Sequence, residues 1–235
     1  MMKKSLAAAL LVAGLAQAQN LPNLRVGLAE DPDVLDPTLA RSFVGRLVFS
    51  ALCDKLVDVD EKLVIVPQLA QSYEWSADSK ALTLKIRPGV TFHDGEKLDA
   101  AAVKFNIERH KTMPGSNRRG ELGPVTSVDV VDPMTVRLNL SAPFTPLLAI
   151  LSDRAGMMVS PKAAQAAGDK FGLKPVCSGA FKFVERVAQD RITLERYDGY
   201  WNKAAINFAK VTYTPIPDAT VRPVCLPARR SEIGQ

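Results

Sequence analysis

Hydrophobic and polar positions along the chain fall into short runs whose period changes several times. Leu24, Val26 and Leu28 alternate, the pattern of a half-buried strand, and lead into Glu30-Asp31-Pro32-Asp33-Val34-Leu35-Asp36-Pro37, where two prolines exclude regular structure. Val44, Leu47, Val48, Ala51 and Leu52 then recur at helical spacing, predicting an amphipathic helix from about Arg41 to Cys53 packed on a sheet. After a turn at Pro67 and a polar segment holding Trp75, Leu82, Leu84 and Ile86 alternate with Thr83 and Lys85 as a second strand. Arg87-Pro88-Gly89 breaks it, Val90-Thr91-Phe92 resumes an extended run, and Asp94-Gly95 supplies a turn pair. Asp99 is placed to cap a helix over Ala100 to His110, which holds neither Gly nor Pro.

Further on, Val128 and Val130 alternate, Asp132-Pro133 turns the chain, and Val136, Leu138 and Leu140 alternate again, predicting a hairpin. Pro143 and Pro146 bracket the start of a short apolar helix through Leu151. Ser160 caps another, with Pro161 in its first turn and Gly168 past its end. The run from Asp153 to Val159 between these helices reads as strand-like, as do Phe181 to Val184, Arg191 to Arg196 and Phe208 to Ile216. Strands and helices interleave, so the class is α/β.

The first residues look like an address. Lys3 and Lys4 precede an apolar run from Leu6 to Leu15, and Ala16-Gln17-Ala18 has the small-x-small form of a signal-peptidase site. Cleavage after Ala18 would start the mature chain at Gln19, exported to the periplasm with no Cys nearby to carry a lipid. No stretch approaches the roughly 20 apolar residues of a membrane span. The 235 residues, 47% hydrophobic, suffice for one large or two small domains. Net charge falls from +5 to +3 without the leader, with acids and bases interspersed, which gives no basis for nucleic-acid binding. The densest basic pair, Arg118-Arg119, sits in a loop bounded by Gly and Pro and reads as solvated surface charge.

Candidate chemistry is sparse. Glu30, Asp31, Asp33 and Asp36 cluster, but their spacing fits neither a calcium loop nor a pair projected from one element, so turn formers and a helix cap explain most of them. His93 and His110 are the only imidazoles, and neither sits in a paired-ligand spacing. There is no G-x-S-x-G elbow and no G-x-G-x-x-G loop. Cys177-Ser178 with His93 could make a secreted cysteine or serine hydrolase only if the fold brought them together, and this is the alternative reading. No catalytic residue, metal site or cofactor is assigned.

An ordered set of residues carries a resemblance. Pro67-Gln68-Leu69-Ala70, Trp75, Lys85-Ile86-Arg87, Gly89-Val90, Phe92-His93-Asp94-Gly95, Asp99-Ala100, Val103-Lys104-Phe105 and Glu108-Arg109 match the pattern of the family 5 extracellular solute-binding proteins of bacterial ABC importers. Pro175 to Phe183 resembles the family's glycine-rich crossing, with Cys177 and Ala180 departing from the common form, and Tyr197-Asp198-Gly199-Tyr200-Trp201 resembles its aromatic turn. The resemblance runs from about Leu24 to Arg222.

The resemblance implies a periplasmic-binding-protein-like α/β fold of the large peptide-binding type, class II, here its first lobe only: a mixed-sheet domain with a smaller inserted α+β domain. Residues 1–18 would be the signal peptide, 19–57 and 175–222 the mixed-sheet domain, 58–174 the insertion and 223–235 a divergent tail. It implies a binding module and not an enzyme, a monomer whose partners are a small solute, peptide-like or glutathione-like, and an inner-membrane ABC permease. The loop after the first strand would line the ligand cleft with Glu30 and Asp31 on its rim. The segment holding Arg154 and Met157 would reach the ligand, Arg154 gripping a substrate carboxylate. In the family's topology the chain leaves the first domain after Cys53 and re-enters near Pro175 to Gly179, which implies a Cys53–Cys177 disulfide and leaves Cys225 over. Family members continue through a helix into a second lobe, whereas Pro223 and Pro227 stand in that place here, so the chain is expected to be half a binding protein, impaired in holding ligand.

Overall fold

In the computed structural model, which describes residues 21–218 and 220, the first and last strands lie side by side. β1 (Asn23–Leu28) runs parallel to β10 (Lys210–Pro215), with Asn23 opposite Lys210 and Leu28 opposite Pro215. β10 pairs antiparallel with β9 (Arg191–Arg196), and β9 with β8 (Phe181–Val187), giving the order β1-β10-β9-β8. Alternation puts Leu28, Val211, Tyr213, Ile192 and Leu194 on one face. There they form a core with Val48, Phe49 and Leu52 of α1 (Gly45–Leu52).

A second four-stranded sheet, antiparallel throughout, has the order β4-β5-β7-β6, from β4 (Ala70–Trp75), β5 (Ala81–Ile86), β6 (Val125–Asp132) and β7 (Thr135–Leu140). Leu82, Leu84, Ile86, Val136 and Leu138 bury one face of it with Val103 and Ile107 of α2 (Ala100–Thr112). Asp99 caps α2 by accepting from the Ala102 N–H, a contact worth about 1 kcal/mol. A short hairpin of β2 (Val57–Val59) and β3 (Ile65–Pro67) sits between the sheets in sequence. α3 (Leu147–Leu151) and α4 (Pro161–Ala167) complete the regular elements, with Ser160 capping α4 and Gly168 ending it at φ +56°.

The two cores meet at a junction of three extended segments. Lys55 bridges Met157, Val159 bridges Cys177, and the Gly179 N–H donates to the Leu52 carbonyl at 3.0 Å, so each segment pairs with both others and the ring of contacts closes. The closeness requires a glycine, since a Cβ on Gly179 would lie 2.5 Å from the Leu52 carbonyl carbon. A disulfide joins Cys53 to Cys177 across the same ring, with Cα atoms 4.9 Å apart and both residues buried.

Three local expectations give way. The helix expected from Arg41 begins only at Gly45, because the backbone before it is held otherwise: Asp33 accepts from the Arg41 N–H at 2.7 Å, and Arg154 takes the Ala40 and Ser42 carbonyls. The run from Asp153 to Val159, expected as strand-like, turns through a 3-10 helix at Arg154–Gly156, whereas Val90 to Phe92 is extended as expected, with Thr91 bridging Lys97. The polar segment before Trp75 is β4, an edge strand whose outward positions are polar. The leader and its cleavage point, Cys225 and the tail at 223–235 lie outside the described residues.

Candidate ligand cleft

The irregular loop after β1 is pinned from several directions. Asp36, fully buried, accepts from Arg109 of α2 through both carboxylate oxygens, at 3.0 and 2.6 Å. Asn117 reaches the same loop: its N–H donates to the Thr38 carbonyl at 3.0 Å and its side-chain amide to the Leu39 carbonyl at 2.5 Å. These bonds fix the Ala40 carbonyl, on which two buried arginines converge. Arg154 Nη1 donates to it at 3.1 Å and to the Ser42 carbonyl at 3.3 Å, while Arg118 Nη2 donates to it at 3.2 Å.

Neither guanidinium is fully answered by acid. Arg118 pairs with Glu121 at 2.5 Å, and Arg154 Nε lies 3.9 Å from Asp153, whose carboxylate is already forked by Arg46 at 2.7 to 3.2 Å. Burial pushes the Asp153 carboxyl up, but the hydrogen bonds and charge of Arg46 outweigh it and hold the group below the usual carboxylate range. Burial and the neighbouring Arg118 both lower Arg154. Nε of Arg118 and of Arg154 are buried donors without a hydrogen bond. Beside them the loop exposes Phe43, 70% accessible, with Arg46 5.7 Å from its ring centre. The arrangement gathers two guanidinium groups with only partial acid compensation, both nearly buried at 4% and 5% accessible.

The residues named from the sequence are dispersed. Arg154 stands in this cluster. Glu30 is exposed on the loop. Asp31 is turned away, accepting from Arg186 at 2.9 Å and from the Gln189 N–H at 3.1 Å, so it ties the loop to the β8–β9 turn. Met157, 3% accessible, is packed into the core under the first sheet. Arg118, expected to be solvated surface charge, is instead 4% accessible. No periodic signal could have found it, because its burial comes from the lacing of Asn117 onto a loop some 78 residues earlier.

The constellation weighed for nucleophilic chemistry comes together without making a nucleophile. His93 lies against Cys177, but the sulfur is in the disulfide and both ring nitrogens of His93 bond backbone groups of Cys177 and Gly179. Ser178 Oγ donates to the Met158 carbonyl. Among the described residues no group of three or more His, Cys, Asp or Glu side chains could hold a metal ion, and no helix is long and apolar enough to cross a membrane.

This architecture is that of the periplasmic peptide-binding proteins. The murein tripeptide-binding protein MppA in its unliganded open form superposes at a TM-score of 0.77 with 22% identity, over 86% of this chain and 43% of that one. AgaA from A. tumefacien R10, solved in complex with agropinic acid, superposes at 0.81 with 31% identity, over 87% of this chain and 42% of that one. The chain belongs to the bacterial extracellular solute-binding proteins, family 5, whose middle-region profile matches residues 64–228, past the point at Arg222 where the resemblance was expected to end. A curated relative, the glutathione-binding protein GsiB of Pectobacterium atrosepticum, is 32% identical over 193 residues, 82% of this chain and 38% of its own length. The chain thus spans about two-fifths of the length of the relatives it matches.

Proposed function

We propose that the protein is the periplasmic solute-binding component of an ABC importer, capturing a small carboxylate-bearing solute, peptide-like or glutathione-like, and presenting it to an inner-membrane permease. The observation that carries the proposal is the convergence of Arg118 and Arg154 on the Ala40 carbonyl beside the exposed Phe43. Two forks held by backbone, with only partial acid compensation, suit a carboxylate. Glutathione and agropinic acid, the ligands in the names of two relatives, are both carboxylic acids. Glu30 is assigned to the rim, where it could meet a solute ammonium, while Asp31 and Met157 support the loop and the core. Residues 19–57 and 175–222 are assigned to one domain and 58–174 to the insertion. The protein acts as an exported monomer without catalysis of its own, cofactor or nucleic-acid partner.

Titration calorimetry with glutathione, short peptides and opine acids tests this, comparing the native chain with Arg154→Lys, which keeps the charge and loses the fork. Binding of at least one of these acids, weakened about tenfold or more by the substitution, is expected. Equal affinity in both proteins, or binding only of solutes without a carboxylate, would overturn it.

A further inference from the structure

The closed junction of three segments is completed by side chains from the inserted region, each acting as a substitute for a strand partner. Asn106 of α2 donates to the Val159 carbonyl at 2.8 Å and accepts from the Val159 N–H at 2.9 Å. His93 does the same for the third segment: Nδ1 accepts from the Cys177 N–H at 3.3 Å and Nε2 donates to the Gly179 carbonyl at 3.0 Å. His110 holds the second segment through Nε2 on the Met157 carbonyl at 3.4 Å, while its Nδ1 accepts from the Thr38 hydroxyl at 2.9 Å. His93 is therefore neutral with the proton on Nε2, the only form that offers one donor and one acceptor in these directions, and neutral His110 takes the same form when the Thr38 hydroxyl, which accepts from Arg109, donates to it.

We propose that this junction is an acid-sensitive lock, in which neutral His93 and His110 hold the crossing segments together and their protonation releases the two cores from one another. Protonated His93 would set an Nδ1–H against the Cys177 N–H, donor facing donor. Protonated His110 would add a third cation beside Arg109 and Arg118, with Asp36 the nearby carboxylate and that one already forked by Arg109. Around His93 stand Asp94, which favours its charged form, Lys182, which opposes it, and the Tyr197 ring at 5.1 Å. Burial dominates at both sites and lowers each imidazole from 6.5 to about 4. On the first segment, Asp54 accepts from Tyr200 and from Trp201 and is raised to about 6 by burial, so it works in the opposite sense. Thr38 and Met157 belong to the segments that carry the Ala40 carbonyl and Arg154, so opening the lock also loosens the proposed solute site.

The disulfide at the centre of the junction reports its opening. Both cysteines are at most 1% accessible, so a phosphine reductant reaches them only when the segments part. With open-state imidazoles at their ordinary value, the open fraction at pH 5 rises roughly thirtyfold per histidine over that at pH 7.5, and roughly a thousandfold for the two; Asp54 offsets about tenfold in every variant. The rate of reduction by tris(carboxyethyl)phosphine, read by alkylation and mass spectrometry at both pH values, is compared among the native chain, His93→Gln, His110→Gln and the double variant. Glutamine offers a donor and an acceptor but does not titrate. Each single variant should lose roughly thirtyfold of the acceleration and the double variant all of it, the reductant's own pH dependence cancelling in the comparison. Equal acceleration in native and double-variant chains would overturn the proposal. Should the variants fail to fold, NMR of the native imidazoles decides: either ring protonating at pH 5 or above with the fold intact refutes the lock, and both staying neutral until the junction opens supports it.

Discussion

Reducing the Cys53–Cys177 bond should cost the fold a large part of its stability. The two cysteines are 124 residues apart, so the bond closes a loop that contains the whole second sheet. In the chain-entropy account a loop of that length removes about 5 kcal/mol of disorder from the unfolded state. Domains are commonly stable by only about 5–15 kcal/mol. For a chain of this size a loss of about 5 kcal/mol corresponds to a fall in melting temperature of about 10–20 °C. The assay is equilibrium unfolding in guanidinium at neutral pH, with and without a phosphine reductant, followed by far-ultraviolet circular dichroism and with refolding checked. The slope against denaturant should rise on reduction, because the reduced unfolded chain exposes more surface, so free energies rather than midpoints are compared. A difference below about 1 kcal/mol would refute the reasoning and show that the hydrogen-bonded ring of segments holds without its covalent link.

Three further outcomes follow from contacts described above. Arg109→Ala leaves Asp36, fully buried, without its forked partner and should destabilise by about 3–5 kcal/mol in chemical denaturation. Gly179→Ala places a methyl group against the Leu52 backbone and should lower stability by more than about 2 kcal/mol, with faster amide exchange at residues 52–56. Asp54, whose carboxyl is raised to about 6, contributes stability that is present at low pH and lost as pH rises to 6, since the folded state binds the proton more tightly than the unfolded one. The stability of the native chain relative to Asp54→Asn should therefore increase by about 2 kcal/mol between pH 7 and pH 4, and a flat difference would refute the assignment.

The strands that alternate in sequence are those with one buried face: β5, β7 and β9 each carry apolar residues at every second position toward a core. β4 escaped because, at a sheet edge, its outward residues Gln71, Ser72 and Glu74 are polar and its inward ones are not uniformly aliphatic. α1 starts later than its apolar spacing predicts, because the spacing at Val44 is helical while the backbone before it is captured by side chains from residues far away in sequence. The same cause hid half of the arginine pair. Arg154 could be named through the resemblance of its segment, whereas Arg118 owes its burial to loop–loop hydrogen bonds that leave no periodic trace. Met157 and Asp31 are close in sequence to Arg154 and Glu30, but side-chain direction, which the pattern does not encode in irregular segments, sends one to the core and the other to Arg186.

The parallel pairing of β1 with β10 also sets a clock. Leu28 ends the first strand and Lys210 begins the last, so the N-terminal strand has no neighbour in its sheet until nearly every intervening residue exists. At an elongation rate of about 5–20 residues per second that wait is roughly ten to forty seconds, far longer than the microseconds in which a hairpin such as β6–β7 forms. During synthesis β1 is thus a strand without its partner, Leu24, Val26 and Leu28 unpacked, while the antiparallel sheet between the two strands can assemble from contacts already made. β1 stays without its sheet partner until β10 has been made.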